Sequence, residues 1–470
     1  MPKHLTDMDT RILRNIIVAL GIAFLLAACN ASRDLPWKTV STDKLYRDSL
    51  MADTVSMATK TWSELFTDKQ LQSLIREGID SSLDLQIAIQ RVNEAEAYFR
   101  QSKANLLPGI SAIGEASFTK NSKSLYPNGS GETKFYELGA SASWEIDIWG
   151  KLRRAKRASY ANLLASDAGR KAVQTRLVAD IATAYYTLLG LDAKLDITQK
   201  TVQTNIEQVE TMKIMKDNGR VNGAAVVQSE AARYAAEVTV PDLKQQILEA
   251  ENALCLLLGR PGEPVVRGKL VDQPSTPAMQ TGIPAMLLEN RPDVMQAEYE
   301  LMAAYETTRS ARAYFFPMLK ITAQGGFMAV NTADLLNPTS LAGNIIAGLT
   351  QPIFNNRANI ARLKVSKAQQ EEALLNFRST LYNAGIEVQN AMGSYLSAQA
   401  KEELRQKQID ALLKSVSYTK ELLTYGTASY LEVLSAQQSL LAAQISSVND
   451  RLQQLDAVVS LYRALGGGWR

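Results

Sequence analysis

The sequence predicts a mainly α-helical protein with a small β part that crosses a membrane. Three observations predict this fold class. A heptad pattern of apolar residues fills most of the stretch from 357 to 425, four other segments alternate as membrane strands do, and the two halves of the chain resemble each other.

Residues 1–28 have the parts of a bacterial lipoprotein signal. Basic residues reach Arg14, an apolar run covers 16–27, and Leu26-Ala27-Ala28-Cys29 resembles a lipobox. In that motif the cysteine is acylated, with palmitate among its acyl chains, and becomes the first residue, so Cys29 is the predicted lipidation site. Asn30 follows it, and by analogy with lipoprotein sorting the lack of Asp there favours the outer membrane. The alternative is a plain signal peptide followed by an incidental buried cysteine.

Charge and cysteine content exclude several classes of protein. The formal net charge of +3 is spread evenly over 470 residues, which argues against nucleic-acid binding. Cys255 is the only cysteine besides Cys29, so no intrachain disulfide framework is expected. Cys255 lies in an apolar run and is predicted to be a core residue.

An internal duplication sets the domain organisation. Pro108 and Pro317 occupy matching places 209 positions apart (317 − 108), and Gly219 and Gly426 match at 207 positions (426 − 219). Two repeats of one architecture follow, each with a helix, a strand pair, a long helix and a return helix. The predicted ranges are a signal at 1–28, a lipid-anchored segment at 29–61, a first repeat at 62–264, a linker at 265–289, a second repeat at 290–466 and a tail at 467–470.

The long helix is clearest in the second repeat. Apolar residues recur every seven positions, with a second series three residues later, and Glu402 and Arg405 interrupt this seam. The first series is Leu374, Leu381, Val388 and Tyr395, and the second is Phe377, Ala384, Ala391 and Ala398. An unbroken helix from 357 to 425 is a rod of roughly 100 Å. Its counterpart in the first repeat is expected at 152–217.

Four segments are predicted as strands: 108–120, 135–148, 318–330 and 341–354. Their alternation and the aromatic residues near their ends, such as Trp144 and Phe354, are typical of membrane strands. Four strands cannot close a barrel, because lipid does not tolerate open sheet edges. Other copies of the chain must therefore complete it, and a dimer with eight strands and a trimer with twelve both remain possible. A periplasmic lipoprotein scaffold of coiled coils without a pore is the alternative, but it has no use for these strands.

Several collinear motifs resemble the TolC-like outer membrane factor family, in its NodT-type lipoprotein branch. They span residues 62–468 and include WSELF at 62–66, WEIDIWGKL at 144–152, NRPDV at 290–294, AYFFP at 313–317 and YLEVL at 430–434. The resemblance implies a homotrimer in which a twelve-stranded outer-membrane barrel continues into a periplasmic α-barrel. It also implies export, with a periplasmic adaptor and an inner-membrane transporter, usually of the resistance-nodulation-division type, as partners. Small amphiphilic molecules are the favoured substrates, with metal ions and polypeptides as alternatives.

The search for catalytic chemistry finds no candidate. The single histidine, His4, lies in the predicted signal, and neither a phosphate-binding loop nor a dinucleotide fingerprint is present. The chain is therefore not expected to be an enzyme or to hold a cofactor or metal. Asn290, Pro292 and Asp293 are interpreted as a helix start, with Asn290 as the capping residue. Gly466 to Gly468 are interpreted as a C-terminal linker.

The turn after the second long helix is the candidate gate. Gly426 can end the helix in the left-handed conformation, and Ser429 with Glu432 matches a capping box. The resemblance places Glu432 at the narrow periplasmic entrance, with Ser435 where relatives often carry a second acid. It also makes Thr427, Ala428 and Tyr430 candidate adaptor contacts. The alternative is that Glu432 only caps the helix. In the first repeat Asn222 can cap, but Ala225 cannot close a box.

Overall fold

The computed structural model describes residues 45, 56–120, 122, 131–274 and 286–470. The predicted signal, Cys29 and most of the predicted anchored segment lie outside these residues. Residues 275–285, which are part of the predicted linker, also lie outside the described residues.

The first repeat begins with three helices, continues through a strand pair and ends with two long helices. Its elements are α1 (Trp62–Leu65), α2 (Lys69–Ser81), α3 (Leu83–Ala104), β1 (Gly109–Lys120), β2 (Glu132–Ile146), α4 (Lys151–Asp217) and α5 (Gly223–Leu257). The second repeat follows the same order from its own first helix. Its elements are α6 (Met286–Asn290), α7 (Pro292–Ala313), β3 (Met318–Ala329), β4 (Leu341–Thr350), α8 (Ala358–Thr424) and α9 (Tyr430–Ala464).

Three pairs of equivalent helices in the two repeats have equal length. The long helices α4 and α8 each have 67 residues, the return helices α5 and α9 each have 35, and α3 and α7 each have 22. Their starts differ by 209 positions for α3 and α7 (292 − 83) and by 207 for the long helices (358 − 151). These are the offsets that the sequence landmarks give, so the structure carries the duplication through every major element.

Helix α8 runs without a break through the charged residues that interrupt its heptad seam. Arg405 Nε donates to Asp450 Oδ2 of the return helix at 2.8 Å, and Lys401 Nζ lies 3.6 Å from the same carboxylate. Asp450 is mostly buried, so the ion pairs let the two helices stay in contact across a polar step. The interruption therefore changes the chemistry of the seam and leaves the helix intact.

The four strands form one antiparallel sheet in the order β1-β2-β3-β4. Two ends differ from the sequence prediction by three residues or more. Strand β2 starts three residues earlier, at Glu132, because the whole of β1 to Lys120 finds a partner there. Strand β4 ends at Thr350, well before 354, because Thr350 pairs with Met318, the first residue of β3, and Pro352 has no N–H to extend the ladder.

The helices turn into strands at Pro108 and Pro317, as predicted. Helix α3 ends at Ala104 before β1, and α7 ends at Ala313 before β3. Trp149 supports the second turn, because its Nε1 donates to the carbonyl of Pro317 at 2.7 Å and its ring stacks on Phe316 at 4.9 Å between centroids. The loop after β2 is thereby fixed to the start of β3.

The interpretation of Asn290 as a helix cap is wrong. Arg291 occupies the N-cap position of α7, and the side chain of Asn290 accepts from Arg470 while its carbonyl accepts from Trp469. The C-terminal residues are therefore docked rather than a free linker. Gly466 permits this contact, because its φ of +88° suits glycine and a Cβ there would collide with the backbone of Asn290.

Candidate channel wall and gate

The register of the sheet separates its side chains into two faces of different chemistry. Successive residues of a strand point to opposite faces, so the paired residues of neighbouring strands identify each face. One face is apolar over most of its height, with the charged residues Lys120, Glu132 and Lys134 at its loop end. Its large apolar residues are Ile110, Phe118, Leu138, Trp144, Ile146, Leu319, Ile321, Phe327, Leu341, Ile345 and Leu349.

The opposite face of the same sheet is mainly polar. Its polar residues are Ser111, Glu115, Ser117, Thr119, Thr133, Glu137, Ser141, Ser143, Glu145, Lys320, Thr322, Gln324 and Asn344. Glu137 is buried there and accepts a hydrogen bond from Gln324 on the adjacent strand. A sheet with one apolar and one polar face is the arrangement of a barrel wall between lipid and a water-filled lumen.

The apolar face is largely uncovered in the single chain. Ile345 is 78% exposed, Ile110 76% and Leu349 66%. Monomeric soluble proteins rarely expose contiguous apolar areas of this kind, so lipid is the medium that suits this face. Within the described residues, no helix is long and apolar enough to cross a membrane.

Both helical hairpins end in the same kind of turn. Gly219 and Gly426 have φ of +71° and +73°, and each turn is closed by a bond across five residues, from Arg220 N to Met215 O and from Thr427 N to Leu422 O. This is the Schellman arrangement, which needs a left-handed residue and therefore favours glycine. The sequence prediction for Gly426 is confirmed.

The two tips pack against each other. One apolar cluster joins residues of α4, α5, α8 and α9 at the tips: Met212, Ala225, Val226, Leu423, Tyr430 and Val433. Tyr430 is 6% exposed and packs on the other hairpin, and this burial raises the pKa of Tyr430. Tyr430 therefore packs the tips together, and its contact with an adaptor stays a prediction.

Glu432 lies on the exposed side of the second tip and caps its helix. Its Oε1 accepts from the backbone N of Ser429 at 3.3 Å and lies 3.1 Å from the hydroxyl of Ser429. Ser435 is exposed one turn further along, and Thr427 is exposed in the turn itself, whereas Ala428 is half-buried. At the first tip, Asn222 Oδ1 accepts from Ala225 N at 3.1 Å, so that helix is capped without a carboxylate.

Sequence reasoning missed Asp456 on α9. One of its carboxylate oxygens is buried without a hydrogen-bond partner, and burial raises the pKa of Asp456 to about 6. It lines a groove between α8 and α9 with Glu387, Ser394 and Arg463. The signal was present in the sequence, because Asp456 is the one charged residue in the run Leu455-Asp456-Ala457-Val458-Val459.

The described residues contain no cluster of His, Cys, Asp or Glu arranged to hold a metal ion. Cys255 is buried, as predicted for a core residue, and burial raises the pKa of its thiol.

Comparison with known proteins identifies the family. The chain matches the family model described as outer membrane efflux protein over residues 74–260 and 283–467. The chain belongs to the outer membrane efflux protein family. The two matched ranges fall on the two repeats, so each repeat carries the family pattern.

Members of the outer membrane efflux protein family with similar sequences include a cation efflux system protein and a probable outer membrane lipoprotein. The chain is 30% identical to the cation efflux system protein CusC of Escherichia coli O6:H1, over 87% of this chain and 88% of that protein. It is 27% identical to the probable outer membrane lipoprotein SilC of Salmonella typhimurium, over 96% of this chain and 98% of that protein. A crystal structure of CusC superposes with a TM-score of 0.81 at 29% identity, over 87% of this chain and 95% of that chain.

The fold, the family and these relatives agree on one role. This efflux protein is an outer-membrane channel component, and its helical part lies in the periplasm. Its relatives are transport channels rather than known enzymes.

Proposed function

We propose that this chain is one subunit of a homotrimeric duct that carries substrates passively through the periplasm and the outer membrane. The observation that carries the proposal is the four-stranded sheet with one apolar and one polar face, joined directly to helices of 67 residues. Such helices extend roughly 100 Å. A sheet in the membrane and a rod of that length together make a continuous conduit, with no catalytic step in the chain.

Three copies suit the sheet better than two. A trimer has twelve strands, and its interior holds water, whereas the interior of an eight-stranded barrel is just filled by side chains. The polar face carries Glu115, Glu137 and Lys320, which favour an aqueous lumen over a packed interior. Reconstitution in planar bilayers tests the proposal: a conductance that Asn344→Arg changes supports a lumen at this face, and an absence of conductance from correctly assembled protein contradicts it.

The partners follow from the periplasmic position of the tips. We propose that a periplasmic adaptor binds them and connects the duct to an inner-membrane transporter of the resistance-nodulation-division type. Thr427 and Ala428 remain the candidate contacts, because Thr427 is exposed and Ala428 lies beside it in the turn. Replacing Thr427 and Ala428 by bulky charged residues should abolish efflux in cells while the trimer still assembles. Full efflux by that variant would remove this part of the turn from the adaptor site.

Lipidation at Cys29 anchors the mature chain in this proposal. The Leu26-Ala27-Ala28-Cys29 motif and the description of the relative SilC as an outer membrane lipoprotein support it. Mass spectrometry of the N-terminal peptide should show an acylated cysteine as the first residue. An unmodified Cys29 would contradict the anchor and leave the channel untouched, because the barrel itself holds the protein in the membrane.

Glu432 is proposed to act at the gate as well as in its capping box. Three symmetry-related copies would place three carboxylates around the entrance, where they attract cations and repel one another. Glu432→Gln keeps an acceptor for the bonds to Ser429 but removes the charge. The variant should lose cation selectivity and block by divalent cations at unchanged thermal stability. Unchanged selectivity in an assembled trimer would leave Glu432 as a helix cap.

The substrate class can be tested in cells. A strain that lacks this protein should become sensitive to the exported compounds, and complementation should restore resistance. Small amphiphiles are the substrates we favour from the sequence, and the similarity to a cation efflux system protein makes metal salts the necessary comparison.

A further inference from the structure

Basic residues are concentrated where the helices meet the sheet. Four stretches of the chain next to the strands hold thirteen Lys and Arg and no Asp or Glu: 97–107, 151–166, 307–316 and 357–370. These stretches are far apart in the sequence, but they belong to α3, α4, α7 and α8, which all meet the same end of the sheet. Together they form a neck, and the charge that is evenly spread along the sequence is concentrated there in the fold.

The two long helices begin in this neck without an acidic residue in their first turns. A helix N-terminus is the positive end of the helix dipole, so basic residues there are unfavourable unless an anion is near. In α4 the carboxylates of Glu145, Asp147 and Glu306 pair with the basic residues of the first turn. In α8, Arg357 occupies the N-cap position and has no ion pair within the described residues. An anion outside the chain would therefore stabilise the start of α8.

Five of the basic residues of the neck are exposed and form no ion pair with any described residue: Lys103, Arg312, Arg357, Lys364 and Lys367. Arg312 is the most informative of them, because α7 lies between α4 and α8 of its own chain. Its exposure therefore does not result from the lack of a neighbouring copy. Lys103 is its repeat-equivalent on α3, 209 positions earlier (312 − 103).

Other contacts identify the lumen side of the neck. Lys151 Nζ lies 2.6 Å from a carboxylate oxygen of Glu145, which belongs to the polar face of the sheet. The same Nζ lies 4.9 Å from the ring centroid of Tyr314, and the guanidinium of Arg362 lies 3.9 Å from that centroid. Lys151, Tyr314 and Arg362 are therefore on the side of the polar face, which faces the lumen.

The unpaired basic residues lie on the opposite side of their helices. An α-helix turns by about 100° per residue, so residues two positions apart point in nearly opposite directions. Arg312 precedes Tyr314 by two positions at the end of α7, and Lys364 follows Arg362 by two positions on α8. Both side chains therefore point away from the lumen, and the duplication places Lys103 in the same orientation as Arg312.

These outward residues lie close to the part of the sheet that is in the membrane. Lys103 and Arg312 each precede the proline of their joint by five positions, which is roughly 8 Å along a helix. The headgroup layer on each side of a bilayer is about 5–8 Å thick, and long basic side chains reach towards it. Exposed aromatic rings, which are typical of a membrane interface, lie at the same joint: Phe315 and Phe316.

We propose that the outward side of the neck binds the phosphate groups of anionic phospholipids in the periplasmic leaflet of the outer membrane. Lys103, Arg312 and Lys364 of each copy provide the cationic contacts. The ligand is a lipid rather than a dissolved anion, because these residues continue the apolar face of the sheet, which lies in the membrane. The inference requires the membrane position of the sheet and is independent of the number of copies and of the gate.

Native mass spectrometry of the purified protein in mild detergent with added lipid tests this site. Phosphatidylglycerol is anionic, whereas phosphatidylcholine with the same acyl chains has the same phosphate but no net charge. Each basic residue near an anionic lipid surface contributes roughly fivefold to binding, so the wild-type protein should retain phosphatidylglycerol at least about tenfold better. The variant with Lys103→Gln, Arg312→Gln and Lys364→Gln should lose most of this preference. If that variant does not assemble, Arg312→Gln alone should lower the preference roughly fivefold.

Two matched variants separate the site from the total charge. Lys216→Gln, Lys244→Gln and Lys414→Gln together remove three exposed basic residues outside the neck and should leave the preference unchanged. Lys103→Arg, Arg312→Lys and Lys364→Arg together keep the charges of the neck and should also retain it. Excess inorganic phosphate should displace no more lipid than sodium chloride of equal ionic strength. Stronger displacement by phosphate would show a site for dissolved anions and overturn the lipid assignment.

The remaining outcomes are equally decisive. Equal retention of the two lipids by the wild-type protein overturns the proposal, whatever the variants do. A neck variant that keeps the preference, or a control variant that loses it to the same extent, also overturns it. Each of these results can be obtained with protein that conducts ions normally, so they would leave the proposed duct standing. Protein that stays soluble without detergent would instead contradict the membrane position of the sheet.

Discussion

The two repeats have the same helices in the same order, but they complete their packing differently. Helix α7 lies between α4 and α8 of its own chain, whereas the equivalent α3 packs on α4 and leaves its other side exposed. The difference teaches that equal helices in the two repeats are covered to different extents within one chain.

The C-terminal ends of the return helices are held by different contacts in the two repeats. In the first repeat, Ser81 Oγ donates to the carbonyl of Leu258 at 2.6 Å, at the end of α5. In the second, the guanidinium of Arg291 donates to the carbonyl of Ala464 at 2.9 Å and also binds Asp293 and Glu387. Burial opposes the charge, but these carboxylates outweigh it and raise the pKa of Arg291. The second repeat thus depends on a buried ion network where the first uses a hydroxyl.

The largest expected effect comes from placing a charge on the lipid-facing side of the sheet. Ile345→Arg puts a guanidinium on the apolar face, which costs about 2–4 kcal/mol per chain near the middle of a bilayer. We expect a strong loss of assembled protein in outer-membrane fractions.

The adjacent residue provides the control for Ile345→Arg. Asn344 faces the polar side, so Asn344→Arg should assemble normally and change only the conductance. Equal assembly defects in the two variants would contradict the assignment of the faces.

Loss of Arg291 should destabilise the second repeat more than the matching change destabilises the first. Arg291→Ala leaves two half-exposed carboxylates and a buried carbonyl without their partner, which costs roughly 2–4 kcal/mol. Thermal unfolding of the purified protein measures the loss. Ser82→Ala, at the equivalent position, should have little effect because the Ser82 side chain does not cap its helix. A smaller shift for Arg291→Ala than for Ser82→Ala would contradict this difference between the repeats.

The two tips should respond to the loss of their caps by similar amounts. Asn222→Ala removes the acceptor for Ala225 N, and Ser429→Ala removes the hydroxyl next to Glu432. Each substitution should cost about 1 kcal/mol. Hydrogen exchange at the first turns of α5 and α9 measures the local effect. Protection that falls at one tip only would show that the capping box and the single asparagine are not equivalent.

The last expected effect concerns Asp456 and is confined to one range of pH. Because burial raises its pKa in the folded protein to about 6, the folded state holds a proton that the unfolded state releases between about pH 4 and 6. Asp456 therefore lowers stability as the pH rises through this window. Asp456→Asn should stabilise the protein at pH 7.5 by up to about 3 kcal/mol, seen as a higher melting temperature, and leave the melting temperature nearly unchanged at pH 4.5. Equal shifts at both pH values would exclude the carboxylate charge as the cause.

The elements with strong periodic signals were predictable from the sequence. The heptads gave the long helix within one residue at each end, and Pro108 and Pro317 marked the joints because proline limits the backbone before it. The end of β4 was not predictable from alternation alone, because it depends on where β3 starts. The role of Asn290 also could not be predicted, since its partners Trp469 and Arg470 are 179 and 180 residues away.

The candidate gate was predicted in part. Local rules sufficed for Gly426 and for the bonds between Ser429 and Glu432, because these depend on neighbours within a few residues. The burial of Tyr430 was missed because it requires the other hairpin, with Ser229 and Val226, to lie alongside. Long-range contacts of this kind leave no local pattern in the sequence.

Native mass spectrometry of the mature protein released from outer membranes in mild detergent tests the central claim most directly. The account predicts one dominant species with three times the mass of the lipidated chain, stable until the detergent or the temperature unfolds the sheet. A monomer that stays soluble after the detergent is removed would contradict a membrane duct built from several copies of the chain.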